Sequence, residues 1–405
     1  MLGDCALTTV GREPGKPVPL ALLAAAFLFN LGQGVLRPSM PLYLERTFAA
    51  NYRMVTLIPV VFGAGKWVAS LPTGYLLRRL GRPLMICGLL VIACVDVVSM
   101  AVTRFDVFLG ARGLGGLGWA MFATVATTAM VDRRGAHQRG RSVSLLLISE
   151  TSGLLLGSAV GGWLYQGVGA ASPFLFEAAC MIVAAIAVAG WVSRPPASAS
   201  PSPRPHEHGA LVTVLRTPGI LLMGTTSALL TAIQTGALVF LFPLYLATRG
   251  GVGPEGVGFL VSLGVLGRLA ALWLGGELSD RWGRMRILIP GLLIYATLLG
   301  SVAVVGDAMI LGALSFSIGA AAGLVAAIPT ALVGDQVPQE LQGVAIGWLR
   351  TMTDGGQIVG PLVMGALADA IDLSAPFILG AALLAATACG CRLRAKAMSL
   401  ADPPV

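Results

Sequence analysis

Residues 276–284 read Gly276-Glu277-Leu278-Ser279-Asp280-Arg281-Trp282-Gly283-Arg284, a short charged stretch between two long apolar runs. Glycines at both ends permit a tight turn. An acid inside it can cap a neighbouring helix, and the arginines suit anionic headgroups. An earlier copy, Gly74-Tyr75-Leu76-Leu77-Arg78-Arg79-Leu80-Gly81-Arg82, stands 202 positions upstream, with Arg78 in the place of Asp280. The same offset relates Pro41-Leu42-Tyr43-Leu44 to Pro243-Leu244-Tyr245-Leu246. At an offset of 203, Asp132 and Gly140 match Asp335 and Gly343, and Gly153, Gly157 and Gly162 match Gly356, Gly360 and Gly365. The chain is an internal duplication, an arrangement that in transporters places substrate between the halves near mid-membrane.

Apolar runs long enough for a bilayer core of about 30 Å recur along both copies. They predict spans at 20–44, 54–77, 84–103, 105–130, 142–165 and 173–193, then at 218–247, 256–278, 285–304, 308–333, 342–368 and 374–392. The expected architecture is an all-α membrane protein of twelve transmembrane helices in two pseudo-symmetric six-helix bundles. Residues 1–193 and 218–405 form the halves, and the Pro- and Ser-rich segment 194–217 forms a cytoplasmic linker. Composition agrees, with 56% hydrophobic and 11% charged residues and a mean hydropathy of +0.83. A soluble domain needs far more charge to cover its surface. The first run lacks a small-residue cleavage pattern and reads as a retained span.

Basic residues cluster on one set of loops: Arg78, Arg79 and Arg82; Arg133, Arg134, Arg139 and Arg141; Arg281, Arg284 and Arg286; Arg392, Arg394 and Lys396. The opposite edges hold only Arg46, Arg53, Arg104 and Arg249. This asymmetry predicts cytoplasmic termini in the inner (plasma) membrane. It also accounts for most of the net charge of +8 without a nucleic-acid partner. The six cysteines have neither metal-site nor disulfide-framework spacing, and no cofactor or metal is expected.

The 276–284 stretch resembles the signature loop of the major facilitator superfamily. Arg112-Gly113-Leu114-Gly115-Gly116-Leu117-Gly118-Trp119-Ala120 resembles that family's arginine-bearing fourth helix, often linked to proton coupling. Gly153, Gly157, Ser158, Gly161 and Gly162 resemble its antiporter glycine motif, with Ser158 where Pro is usual. Gly360-Pro361 with Gly365 is the second-half relative and keeps the Pro. The resemblance covers nearly the whole chain and implies a monomeric secondary transporter, closest in motif content to drug:proton antiporters.

In such a family each signature loop faces the opposite half. Loop 335–342 contains Asp335 and Glu340 but no basic residue, whereas its mirror is basic. The expectation is that Arg78, with Arg79 or Arg82, pairs with Asp335 or Glu340. Glu277 and Asp280, flanked by Arg281 and Arg284, would face Arg139 or Arg141. Such pairs would close one side of the membrane and open in the other state.

Ionisable residues at membrane depth are costly and default to functional candidates. Lys66 and Arg268 are repeat mates near mid-membrane; they could clamp an anionic group or join an internal network with Glu150 and Asp354. Glu150, close to the mate of Asp354, is the leading proton-coupling candidate, followed by Asp354, Arg112 and Asp96. Arg350 shares a helix face with Asp354 and joins the substrate-binding candidates. Arg37 is also a substrate-binding candidate, although Arg37, Arg112 and Glu177 fall near the predicted outer span ends, where snorkelling weakens the case for a role. Asn30, Gln33, Gln234 and Thr235 are expected to line the cavity, or to hydrogen-bond between helices. No Ser/His/Asp set or phosphate-binding loop lies at membrane depth, so no enzyme is expected. The reading that follows is proton-coupled efflux of a small amphipathic compound. Its alternatives are an organic-anion uniporter or exchanger using Lys66 and Arg268, and a lipid or lysolipid carrier.

Overall fold

A computed structural model describes residues 20–132, 139–191, 214–216, 219–337 and 341–401. The first half contains α1 (Leu20–Phe48), α2 (Tyr52–Ala101), α3 (Phe105–Asp132), α4 (Arg139–Gly167) and α5 (Ser172–Trp191). The second contains α6 (Ile220–Ala232), a π-helix (Ile233–Leu241), α7 (Phe242–Thr248), α8 (Pro254–Trp282) and α9 (Arg284–Val302). It continues with α10 (Ala308–Ala326), α11 (Ile328–Gln336), α12 (Gln342–Ala370) and α13 (Ala375–Ala401). Among the described residues there is no strand. Nine segments among them are long and apolar enough to cross a membrane. The stretches 52–79, Phe105–Asp132 and Gln342–Ala370 stand outside that set, and each carries charge along its length, at Lys66, at Arg112, and at Arg350 and Asp354.

Proline decides where the helices depart from the predicted boundaries. The spans read at 54–77 and 84–103 are separated by a kink at Leu80 (φ −125°, ψ 23°) within α2, where Pro83 displaces the carbonyl four residues earlier, and Leu80–Ala101 is by itself long and apolar enough to cross a membrane. The run read at 308–333 breaks at Ala327, with Pro329 opening α11. The run read at 218–247 winds as a π-helix just before Pro243, and the Phe242 N–H reaches back five residues to the Ala237 carbonyl. By contrast, α1 remains α-helical through Pro38 and Pro41.

Each half packs through a seam of small residues. Along α4, Gly153, Gly157 and Gly161 lie against the carbonyls of Phe27, Leu31 and Val35 of α1. A Cβ at any of the three would come within 2.3 Å of one of those oxygens, so only glycine admits this approach. Gly356 and Gly360 repeat the seam on α12 against Ala228 and Ala232.

The halves meet through α4 with α8 and through α2 with α12, contacts that are themselves repeat mates. Both close at the end where α2 and α8 begin. There Gly162 touches Pro254 and Gly365 touches Thr56. The N–H groups of Tyr52 and Arg53 donate to Asp369 at 2.9 and 3.0 Å, and that of Glu255 donates to Gln166 at 3.2 Å. Each helix start is thus capped by a side chain of the other half. One apolar core runs through both halves here, from Met40 and Phe108 to Leu246 and Leu311. A separate core, including Phe29, Leu89, Phe122 and Met181, serves the first half alone. Large apolar side chains such as Trp67, Ile186, Leu221 and Val359 are exposed on the outside, where lipid is the natural neighbour.

Candidate functional site

Between the halves lies a central cavity of about 280 Å³, walled by α1, α4, the π-helix, α7, α8 and α10. Much of its lining is aliphatic, including Leu147, Leu154, Leu238 and Val265. Its ionisable groups are Arg37, Glu150 and Arg268, joined by Asn30, Gln234 and Ser315. Arg268 donates through Nη1 to Gln234 Oε1 at 2.9 Å. Arg37 and Arg268 are both partly buried and share this cavity. Among the described residues Arg37 and Glu150 form no hydrogen bond and no ion pair. Neither arginine forms an ion pair with Glu150 among the described residues. A second cavity, of about 290 Å³, adjoins on the far side of Arg268 and Gln234 and is lined by Ser227, Thr231, Thr330, Thr353 and Tyr295.

Duplication places equivalent positions here without giving them equivalent surroundings. Lys66, the mate of Arg268, points to α12 instead of this cavity. Its Nζ lies 3.3 Å from Asp354 Oδ1 and 3.2 Å from Gln357 Oε1, with the Trp119 ring 4.4 Å away. The pair bridges the two halves, so Lys66 and Asp354 form an interhalf link. Arg350 is exposed, lines neither cavity and forms no ion pair with Asp354 among the described residues. Gln33 also turns away, donating through Nε2 to Glu177 at 2.5 Å.

A second charged cluster sits inside the first half. Arg112 Nη2 donates to Asp96 Oδ1 and Ser99 Oγ, both at 2.8 Å, and Arg112 Nη1 is 4.0 Å from Glu177 Oε2. The Phe108 and Phe174 rings flank the guanidinium at 5.4 and 5.1 Å. Asp96 and Glu177 are wholly buried and touch each other, and Asp96 Oδ2 and Glu177 Oε2 have no donor among the described residues. The snorkelling expected of Arg112 and Glu177 is therefore corrected: both turn inward to this cluster. Arg37 is corrected likewise, because α1 extends to Phe48 and keeps it away from the helix end.

At the signature loop the described side chains pair within one half. Arg281 binds Glu277 at 2.6 Å, and Arg284 binds Asp280 at 3.2 Å and Asp335 as well. Gly283 turns the chain at φ 95° between α8 and α9, a conformation that favours glycine. Asp335 is thus held by Arg284 and not by Arg82, because Arg284 starts the helix beside α11. The side chains of Arg78, Arg79, Arg139 and Arg141, and Glu340 as a whole, lie outside the described residues. Sequence reading missed Glu177, Gln357 and Asp369 as partners; the only available signal was their charge or amide within apolar runs.

The sequence model of the Major Facilitator Superfamily matches residues 22–253 and 225–397. The quinolone resistance protein NorA of Staphylococcus aureus is 25% identical over 360 residues, covering 87% of this chain and 90% of that one. The MFS-type transporter YcaD of Salmonella dublin is 27% identical over 317 residues, 76% of this chain and 77% of its own. Among solved structures, the nucleoside transporter NupG superimposes with a TM-score of 0.78 at 13% identity, covering 94% of this chain and all of that one. Two related helical bundles around a charged central cavity agree with those matches, and the chain belongs to the Major Facilitator Superfamily.

Proposed function

We propose that this chain exports a small amphipathic organic compound by alternating access, driven by proton entry, from the inner (plasma) membrane as a monomer with cytoplasmic termini. The observation that carries the reading is Glu150: a carboxyl on the central cavity, between the halves, with no partner among the described residues. A group so placed can exchange a proton with solvent when the cavity opens, and its charge then alters the environment of the cargo. The aliphatic walls suit the apolar part of an amphipathic compound. Similarity to a quinolone resistance protein supports efflux over uptake.

The site has the features of a carrier and lacks a nucleophile–base pair around its cavity. The decisive measurement is transport in proteoliposomes under an imposed pH gradient, with cationic, neutral and anionic test compounds. Proton-driven movement is expected for the wild type. Glu150→Gln should lose at least tenfold of that driven rate while retaining exchange down a substrate gradient. Unchanged proton-driven transport in Glu150→Gln would remove Glu150 from the mechanism.

A further inference from the structure

The central cavity is lined by two guanidinium groups, and one of them, Arg37, has no hydrogen-bond or ion-pair partner among the described residues. Burying a charge is unfavourable unless an opposite charge or several hydrogen bonds compensate it. Arg268 has a single amide acceptor in Gln234, which carries no charge. Asp96, Glu177 and Asp354 are engaged with Arg112 and Lys66 elsewhere. Glu150 shares the cavity but forms no ion pair with either arginine among the described residues. The cavity therefore sets two guanidinium groups against the single carboxyl of Glu150 and is short of negative charge.

Guanidinium groups bind carboxylates through paired N–H donors, and two of them facing one space can hold an anion between them. The cavity walls include the aliphatic side chains of Leu238, Val261, Val265 and Leu272. On the other side of Arg268 the adjoining cavity offers the hydroxyls of Ser227, Thr231, Thr330 and Thr353. At about 280 Å³, the central space falls at the small end of ligand sites, which run from about 300 to 1,000 Å³. We propose that Arg37 and Arg268 clamp the anionic group of the cargo, so that the transported compound is a small amphipathic organic acid. The proposal rests on the central cavity being the transport site. It deepens the exporter reading by giving the cargo a charge.

The test measures binding to the purified full-length protein in detergent by calorimetry. The probes are shape-matched pairs of aryl carboxylates and their primary amides, including 2-naphthoate with 2-naphthamide. The wild type should bind at least one acid tenfold or more tightly than its amide. Arg37→Gln and Arg268→Gln should each erase that preference, and Arg37→Lys, which keeps the charge, should retain part of it. Arg104→Gln, at an exposed pair remote from the cavity, should leave the preference intact. Equal affinities within every pair, no detectable acid binding, or a preference that survives both arginine substitutions overturns the clamp. Acid preference without any proton-driven transport keeps the clamp and overturns the exporter reading. Proton-driven transport of neutral or cationic compounds without acid preference does the reverse.

Discussion

A single residue can be read only as far as its surroundings can. Lys66 and Arg268 are repeat mates, yet one meets Asp354 and Gln357 while the other meets Gln234. Duplication fixed their depth. Their partners depended on substitutions in the facing helices, which no spacing rule encodes. Arg112 shows the energetic stake: one guanidinium faces two buried carboxyls that touch each other. Removing one partner from a buried ionic cluster costs about 3–5 kcal/mol, whereas replacing the whole cluster by neutral groups is often neutral. Arg112→Leu should therefore lower the melting temperature in detergent markedly. Adding Asp96→Asn and Glu177→Gln to it should recover most of the loss. A single variant as stable as the wild type would show that the cluster carries no such energy.

At the scale of elements, the sequence was most informative where geometry leaves no choice. The glycines of the antiporter-like motif could be found from spacing alone, and they proved to be a helix-packing seam between α4 and α1. Gly162 and Gly365, also paired by the repeat, face the other half instead. They differ in what they touch. A Cβ on Gly162 meets the Pro254 carbonyl at 2.1 Å, whereas one on Gly365 meets Thr56 Oγ1 at 1.7 Å. Backbone cannot yield there, but a threonine side chain can rotate. Gly162→Ala should thus open this end of the bundle more than Gly365→Ala does. Spin labels at the ends of α4 and α8 would read the separation, and equal opening in both variants would contradict the argument. The break at Leu80 falls between the spans read at 54–77 and 84–103; what the sequence concealed at this scale were the break at Ala327 and the π-turns. Proline marked each region without declaring which distortion it would cause.

For the whole molecule, the hydrogen bonds and ion pairs between described residues that join the halves lie mid-bundle and at the end where α2 and α8 begin. The charge-based expectation had put the latch at the signature loops. The described arginines there serve their own half, since Arg284 can reach Asp280 and Asp335 without crossing the interface. Alternating access requires the capped end to part, and helix caps are worth about 1 kcal/mol each. Asp369→Ala combined with Gln166→Ala should shift the population toward the parted state by roughly tenfold, since about 1.4 kcal/mol is a factor of ten. Distance distributions between labels on α2 and α12 would report it. A distribution unchanged from the wild type would mean that the apolar core alone holds this end.

The π-helix of residues Ile233–Leu241 has one further consequence. Such a coil takes up more residues per turn than its neighbours, so it stores rotation the way a loosened screw thread does. Winding back to the ordinary pitch would turn one flank against the other by about 100° per residue released. Gln234, the acceptor for Arg268, rides at the start of that thread, and the closed-end core around Leu244 and Leu246 lies beyond its finish. Rewinding would therefore turn the Gln234 amide relative to that core within a single helix.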